Sequence, residues 1–463
     1  MNGPTNGPER ADEAAAPSTI GRRDSLRVAV ASLVSAGSGF VILLLATYVL
    51  VPKSENTVFQ TFWATTFACF GVLSGLSIET TRAVAASAPD RTGDQPGERP
   101  GDRPGGRPGP QVLAVGLLLG LGAGAVVAAT SPWWAASVFP SGRGSLAFLV
   151  AGGVVAYAAH SVVVGALAGR RSWVVYARLI GADALVRLAL VGVVVAVGAT
   201  VAGLAAATVG AATTWVWFLL ASSRARAAAR SRADSGTTTF LRRIGATSLA
   251  AGASAMLVVG FPVLLAVTTP AAEYATAAPL LLAISLTRAP MLIPLNAYQG
   301  VAVTHFVAHR DRGLAALLPV LRLVGLVGVV ATAGAYALGP WLVRTLLPAG
   351  YEMGGPVLAG LTAAAVLLAL LTLTGALCQA LTLHATFLGG WIVAVVVAIL
   401  LLLLPLSLEA RCVIALAGGP LVGIAVHLLR LRRAAAVAVG TTGTAGATGT
   451  ATTLEPEDDD DRA

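Results

Sequence analysis

Residues 27–50 read RVAVASLVSAGSGFVILLLATYVL. After Arg27 the next charged residue is Lys53. A helix over 28–50 would be roughly 35 Å long at 1.5 Å per residue, enough to cross a hydrocarbon layer of about 30 Å. Its middle is small, with Ser35, Gly37, Ser38 and Gly39, and small residues let membrane helices approach closely. The same pattern, a basic residue followed by some twenty apolar ones, recurs along the chain. Over 463 residues the sequence is 56% hydrophobic and 11% charged, with a mean hydropathy of +0.79. Soluble domains carry roughly 25% charged residues. This excludes a water-soluble enzyme and a disordered chain, and it predicts an all-α polytopic membrane protein.

Twelve spans are expected, at 26–50, 57–84, 111–131, 146–168, 173–197, 200–221, 244–268, 276–304, 314–338, 356–382, 385–406 and 411–430. Residues 1–24 read as a disordered polar N-terminus without the apolar core of a cleavable signal, so the first span is expected to act as an uncleaved targeting signal. Residues 88–110 are expected to form a Pro/Gly/Arg linker, 222–243 a basic inter-lobe linker, and 434–463 a disordered, acidic, low-complexity tail. Basic loops after even-numbered spans, such as Arg170–Arg171, Arg224–Arg232 and Arg430–Arg433, alternate with loops holding only Lys53, Arg143, Arg344 and Arg411. Positive charge marks the cytoplasmic side. Both termini are therefore expected in the cytoplasm of a multi-pass cell-membrane protein. In this setting the excess of 31 basic over 22 acidic residues reports loop charge, and nucleic acid is not an expected partner.

The chain also repeats. Arg27-Val-Ala-Val-Ala-Ser32-Leu33 matches Arg243-Ile-Gly-Ala-Thr-Ser248-Leu249 at an offset of 216 residues, and Ser38 then matches Ser254. Two parallel six-helix lobes, 25–221 and 244–433, are expected around a central cavity that opens to either side by rocking.

Ionisable groups inside spans are costly and mark function. Glu79 and Arg82 lie in span two, Arg178, Asp183 and Arg187 in span five, Arg288 in span eight and Arg322 in span nine. Glu79–Arg82 and Asp183–Arg187 have the spacing of same-face helical pairs, and Arg178 and Arg322 can snorkel. Arg288 has no acid in its own span. At about 100° per residue, Ser285, Arg288, Asn296 and Gln299 share an arc of roughly 80°, in a helix that Pro290 and Pro294 interrupt. Two acids against five arginines favour an anionic cargo, since a guanidinium fork suits phosphate. The alternative is that Arg288 pairs with Asp183 or Glu79 and only holds the lobes together. The expected cargo site comprises Arg288, Arg82, Arg187, Asp183, Glu79, Asn296 and Gln299. No metal is expected: the three cysteines have no ligand spacing, and His305 and His309 lack a third partner. There is no nucleotide-binding or nucleophile motif, so neither a cofactor nor catalysis is expected.

Five stretches in spans one, two and eight carry a family resemblance. Ser35-Ala-Gly-Ser-Gly39-Phe40, Val58-Phe-Gln-Thr-Phe-Trp63 and Gly75-Leu-Ser-Ile-Glu79-Thr-Thr-Arg82, with Thr287-Arg288-Ala-Pro290 and Tyr298-Gln299-Gly300, resemble polysaccharide-biosynthesis flippases of the multidrug/oligosaccharidyl-lipid/polysaccharide exporter superfamily. The resemblance covers some 70 residues at the N-terminus and 30 in span eight; the 88–110 linker lies outside it. It implies movement of polyprenyl-pyrophosphate-linked saccharides between leaflets, with Arg288 and Arg82 engaging the pyrophosphate. The expected partners are then a lipid-linked anionic saccharide, membrane lipids and polysaccharide-assembly proteins. A small-molecule or drug antiporter of similar architecture and a non-transporting envelope-assembly scaffold are the other two readings.

Overall fold

The computed structural model describes residues 21–87, 109–139, 143–291 and 317–447. Among them the chain is helical, as hydrocarbon demands of any backbone that cannot bond to water. The first half comprises α1 (Arg22–Val49), α2 (Lys53–Ala86), α3 (Val112–Val138), α4 (Leu146–Gly169), α5 (Trp173–Gly198), α6 (Val201–Gly210), α7 (Thr214–Ala221) and α8 (Ser223–Ala229). The second half comprises α9 (Thr237–Val258), α10 (Phe261–Thr268), α11 (Ala271–Tyr274), α12 (Ala278–Met291), α13 (Leu318–Ala337), α14 (Gly339–Leu346), α15 (Gly355–Ala380), α16 (His384–Leu402) and α17 (Leu408–Ala447).

Among the described residues ten helices are long and apolar enough to cross a membrane, or eleven if the bent α9–α10 pair is one span. Against the expected twelve, two spans differ in what the structure describes. The seventh span is two helices meeting at 69°: Gly260 interrupts the ladder and Pro262 starts a new helix near its first turn, where a missing N–H costs nothing. Of the eighth, the described part is α12; the rest of that span, with Pro294, Asn296 and Gln299, lies outside the described residues, as do His305 and His309, most of the 88–110 linker and the acidic end of the tail. The sixth span is α6 and α7 joined by a 3-10 turn at Ala211–Thr213, and Arg242 and Arg243 belong to α9 rather than to the linker.

Two separate cores define two lobes. In one, Ile42, Phe59, Phe62, Phe139, Leu167 and Leu204 are buried together; in the other, Phe261, Leu281, Leu371, Trp391 and Cys412. Outward faces are aliphatic: α13 buries only Gly328, and α1 exposes Leu26, Val30, Leu33 and Val41. The repeat survives in detail. Ser38 Oγ donates to the Ser35 carbonyl at 2.9 Å, and Ser254 Oγ to the Ala251 carbonyl at 2.8 Å. The halves nevertheless differ: α1 packs on α5 of its own lobe, whereas α9 packs chiefly on α2 of the other. Gly75 permits this, because a Cβ there would lie 2.3 Å from the Ser248 backbone nitrogen. Thr247 Oγ1 also donates to the Gly75 carbonyl at 2.9 Å.

Candidate functional site

A cavity of about 210 Å³ lies between the lobes. From the first lobe, α1 supplies Ala36, Phe40 and Leu43, and α2 supplies Gln60, Trp63 and Ala64. From the second come Val258, Val259 and Pro262 at the α9–α10 break, and Ile284, Ser285 and Arg288 on α12. One wall is thus apolar and aromatic, with Trp63 stacked on Phe67 at 4.4 Å between ring centroids. The opposite wall carries the charge.

Arg288 is buried, at 7% exposure. Its Nη1 donates to the carbonyls of Leu257 at 3.1 Å and Val258 at 3.0 Å. These end α9, whose last carbonyls have no intrahelical donor. The Arg288 guanidinium carbon also lies 5.8 Å from the Phe261 ring centroid, within cation–π range. Among the described residues no carboxylate pairs with Arg288, and Nη1 alone is hydrogen-bonded. A cation held in place with no carboxylate beside it among the described residues, facing a cavity in low dielectric, offers donors to an anion. Ser285, on the same face, satisfies its own hydroxyl by donating to the Leu281 carbonyl at 3.1 Å.

The other expected site residues lie elsewhere. Arg82 is about 27 Å from Ala64 along α2, counting 18 residues of helix rise. It is saturated with carboxylate: Nε and Nη2 bond Glu79 at 2.9 and 2.6 Å, and Nη1 and Nη2 fork onto Asp234 at 2.9 Å each. Arg243 adds a longer contact to Asp234 at 3.7 Å. The Arg82 guanidinium holds the Asp234 carboxyl below the usual aspartate range. Arg82 and Glu79 therefore do not line the cavity; they tie α2 to the segment joining the lobes. That segment is also strapped to the first lobe through Ala233 N–H to the Pro110 carbonyl at 3.0 Å and Val112 N–H to the Ser231 carbonyl at 3.1 Å.

Asp183 and Arg187 sit inside the first lobe and are not among the residues that line the cavity. They pair at 2.5 Å, and both are buried. Arg187 reaches the Thr208 carbonyl at 3.4 Å and the face of Phe67 at 5.2 Å. Asp183 Oδ1 has no hydrogen-bond partner among the described residues. Neither residue meets Arg288, so the interlobe pairing alternative fails on geometry. Arg178 and Arg322 are exposed. Asn296 and Gln299 lie outside the described residues.

Sequence reasoning missed Gln60 as a cavity residue and the α9–α10 break as a cavity wall. The signal for the break was Gly260-Phe261-Pro262, which an apolar run disguised.

No family model matches the sequence. The chain is 40% identical over 408 residues to the uncharacterized protein Rv3630 of Mycobacterium tuberculosis, covering 88% of this chain and 91% of that protein. It is 40% identical over 414 residues to the uncharacterized protein Rv1510 of the same organism, covering 89% and 93%. Among solved structures, it is similar to an inward-facing multidrug resistance MATE family transporter of the MOP superfamily, with TM-score 0.63, 15% identity, and 89% and 98% of the two chains covered. It is also similar to a MOP superfamily transporter from Pyrococcus furiosus, with TM-score 0.60, 16% identity, and 89% and 96% covered. The chain belongs to the family of Rv3630 and Rv1510, an integral membrane family whose two-lobed helical fold is that of the MATE transporters.

Proposed function

We propose that the protein exports a polyprenyl-pyrophosphate-linked saccharide across the cell membrane by alternating access, with both termini in the cytoplasm. The observation that carries this reading is Arg288, without a carboxylate partner among the described residues, facing a cavity on the boundary between two lobes. A rocking motion of the lobes would turn such a cavity from one leaflet to the other. Arg288 takes the anionic head, while Trp63 and Phe40 line the wall against which an apolar or ring-shaped group packs. Asn296 and Gln299 are proposed to extend the polar stripe toward the saccharide; Arg82, Glu79, Asp183 and Arg187 serve the frame. The Pyrococcus furiosus transporter is described as having a binding pocket of reverse polarity that suggests a different function.

A second reading, a small-molecule or drug antiporter, has its own support in the likeness to multidrug resistance MATE transporters. It would use a buried carboxylate as counter-charge for a cation, and Asp183 is the candidate. The two readings separate in proteoliposomes. The flippase reading expects transfer of a fluorescent polyprenyl-pyrophosphate disaccharide between leaflets and no transfer of its neutral polyprenol counterpart. Proton-coupled efflux of cationic dyes without lipid transfer would support the antiporter instead.

A further inference from the structure

Four consecutive-face residues of α2 near its start, Asn56, Thr57, Gln60 and Thr61, are all buried. Each is polar, and each finds a partner in the opposite lobe. Asn56 Nδ2 donates to Tyr351 Oη at 2.8 Å. Thr57 Oγ1 donates to the Ala275 carbonyl at 3.0 Å, and Gln60 Nε2 to the Ala278 carbonyl at 3.2 Å. Thr61 Oγ1 and Tyr274 Oη lie 2.6 Å apart. The Thr57 and Gln60 contacts each join residues 218 positions apart, close to the 216-residue offset of the repeat. Near-equivalent residues of the two halves thus touch, which puts this seam on the axis relating the lobes. It joins the lobes on the side of the cavity where α2 begins.

The members of the seam are not equally committed. Pro279, four residues after Ala275, has no N–H, so the Ala275 carbonyl lacks its helical donor and depends on Thr57. The Ala278 carbonyl has a helical donor four residues on, at Leu282. Gln60 can therefore leave it without orphaning a carbonyl; only its own amide needs a new acceptor. Gln60 also lines the cavity, whereas Asn56, Thr57 and Thr61 do not.

We infer that Gln60 couples the cavity to this seam: an acceptor oxygen on bound cargo draws the Gln60 amide from Ala278 and so loosens the closure between α2 and the start of α12. This rests on the reading of the cavity as a cargo site. Occupancy would then favour the state open at this end, because cargo gains a hydrogen bond there that it lacks while the seam is shut.

The test is a spin-label distance measurement on the full chain, with labels at V51C and L406C and with Cys69, Cys378 and Cys412 replaced by alanine. The probe is farnesyl pyrophosphate, a soluble isoprenoid pyrophosphate. Without probe, Gln60→Met is expected to raise the open-to-closed ratio about fivefold, as loss of one buried hydrogen bond of ordinary net strength would, and probe should shift it no further. Thr57→Val breaks the same seam outside the cavity: it should also open without probe, yet still respond to it, as the parent does. A Gln60→Met protein that matches the parent with and without probe overturns the inference, as does a Thr57→Val protein that loses the response in the same way. If the parent neither binds nor responds to farnesyl pyrophosphate while Gln60→Met still opens, the seam assignment is supported and the pyrophosphate reading is overturned.

Discussion

Arg288 on α12 caps the broken end of α9, with its Nη1 3.0 Å from the carbonyl oxygen of Val258. One side chain thus performs two tasks. It satisfies carbonyls that the Gly260 break frees, and it delivers a positive charge to the cavity wall. These tasks are separable by substitution. Arg288→Ala should lower stability by about 1.5–3 kcal/mol, the range for hydrogen bonds to a charged donor, and abolish lipid transfer. Arg288→Lys should recover most of the stability but little of the transfer, because an ammonium lacks the planar fork. Thermal unfolding in detergent and transfer in proteoliposomes, measured on the same preparations, would separate the two.

The Asp183–Arg187 pair gives a prediction of the opposite kind. Arg187→Met leaves a buried carboxylate alone and should cost about 3–5 kcal/mol. Replacing both by apolar residues, Asp183→Leu with Arg187→Met, should restore much of that stability, since buried pairs are often matched by well-packed hydrophobes. If the pair only frames the first lobe, the double variant transfers lipid at near parental rates. If Asp183 serves as a counter-charge for cationic drugs, the folded double variant loses efflux.

The seam between α2 and α9 should be intolerant of bulk. Gly75→Val would push a side chain into the Ser248 backbone, where even a Cβ has only 2.3 Å. Overpacking of this kind costs about 1–3 kcal/mol. The expected result is a lower melting temperature together with faster alkylation of a cysteine placed at Ser248.

The Arg82–Asp234 latch fixes a pH dependence. The Arg82 guanidinium depresses the folded-state pKa of Asp234 below its ordinary 3.8. A depressed carboxylate stabilises the fold fully above the unfolded value, and that contribution fades as pH falls through the folded one. Arg82 is 41% exposed, so the pair is worth only about 0.2–1 kcal/mol. Asp234→Asn should therefore melt slightly below the parent at neutral pH, and the two melting curves should converge in acid below 3.8.

Much of this architecture was legible in the sequence because lipid leaves few options. The uncharged run after Arg27 could only be a spanning helix, and the Arg27/Arg243 repeat gave two lobes. The candidate site was legible in part. Arg288 stood out by lacking an acid in its own helix, and it does face the interlobe cavity. Arg82 has its same-face partner Glu79 in the sequence but also finds Asp234, which is 152 residues away; no helical periodicity can reveal such a partner. The bend after Val258 was hidden because Gly and Pro also occur in continuous membrane helices. Gln60 passed unnoticed because an uncharged amide costs too little in a span to stand out, and its meaning depends on Ala278 across the lobe boundary.

Arg288 makes the cavity select for pyrophosphate in the proposed mechanism. Titration calorimetry with farnesyl pyrophosphate and with farnesol, on the parent and on Arg288→Gln, measures this directly. The parent should bind the pyrophosphate at least about tenfold more tightly than the alcohol, a preference worth about 1.4 kcal/mol, and Arg288→Gln should bind both alike. An undiminished preference in Arg288→Gln would contradict the claim.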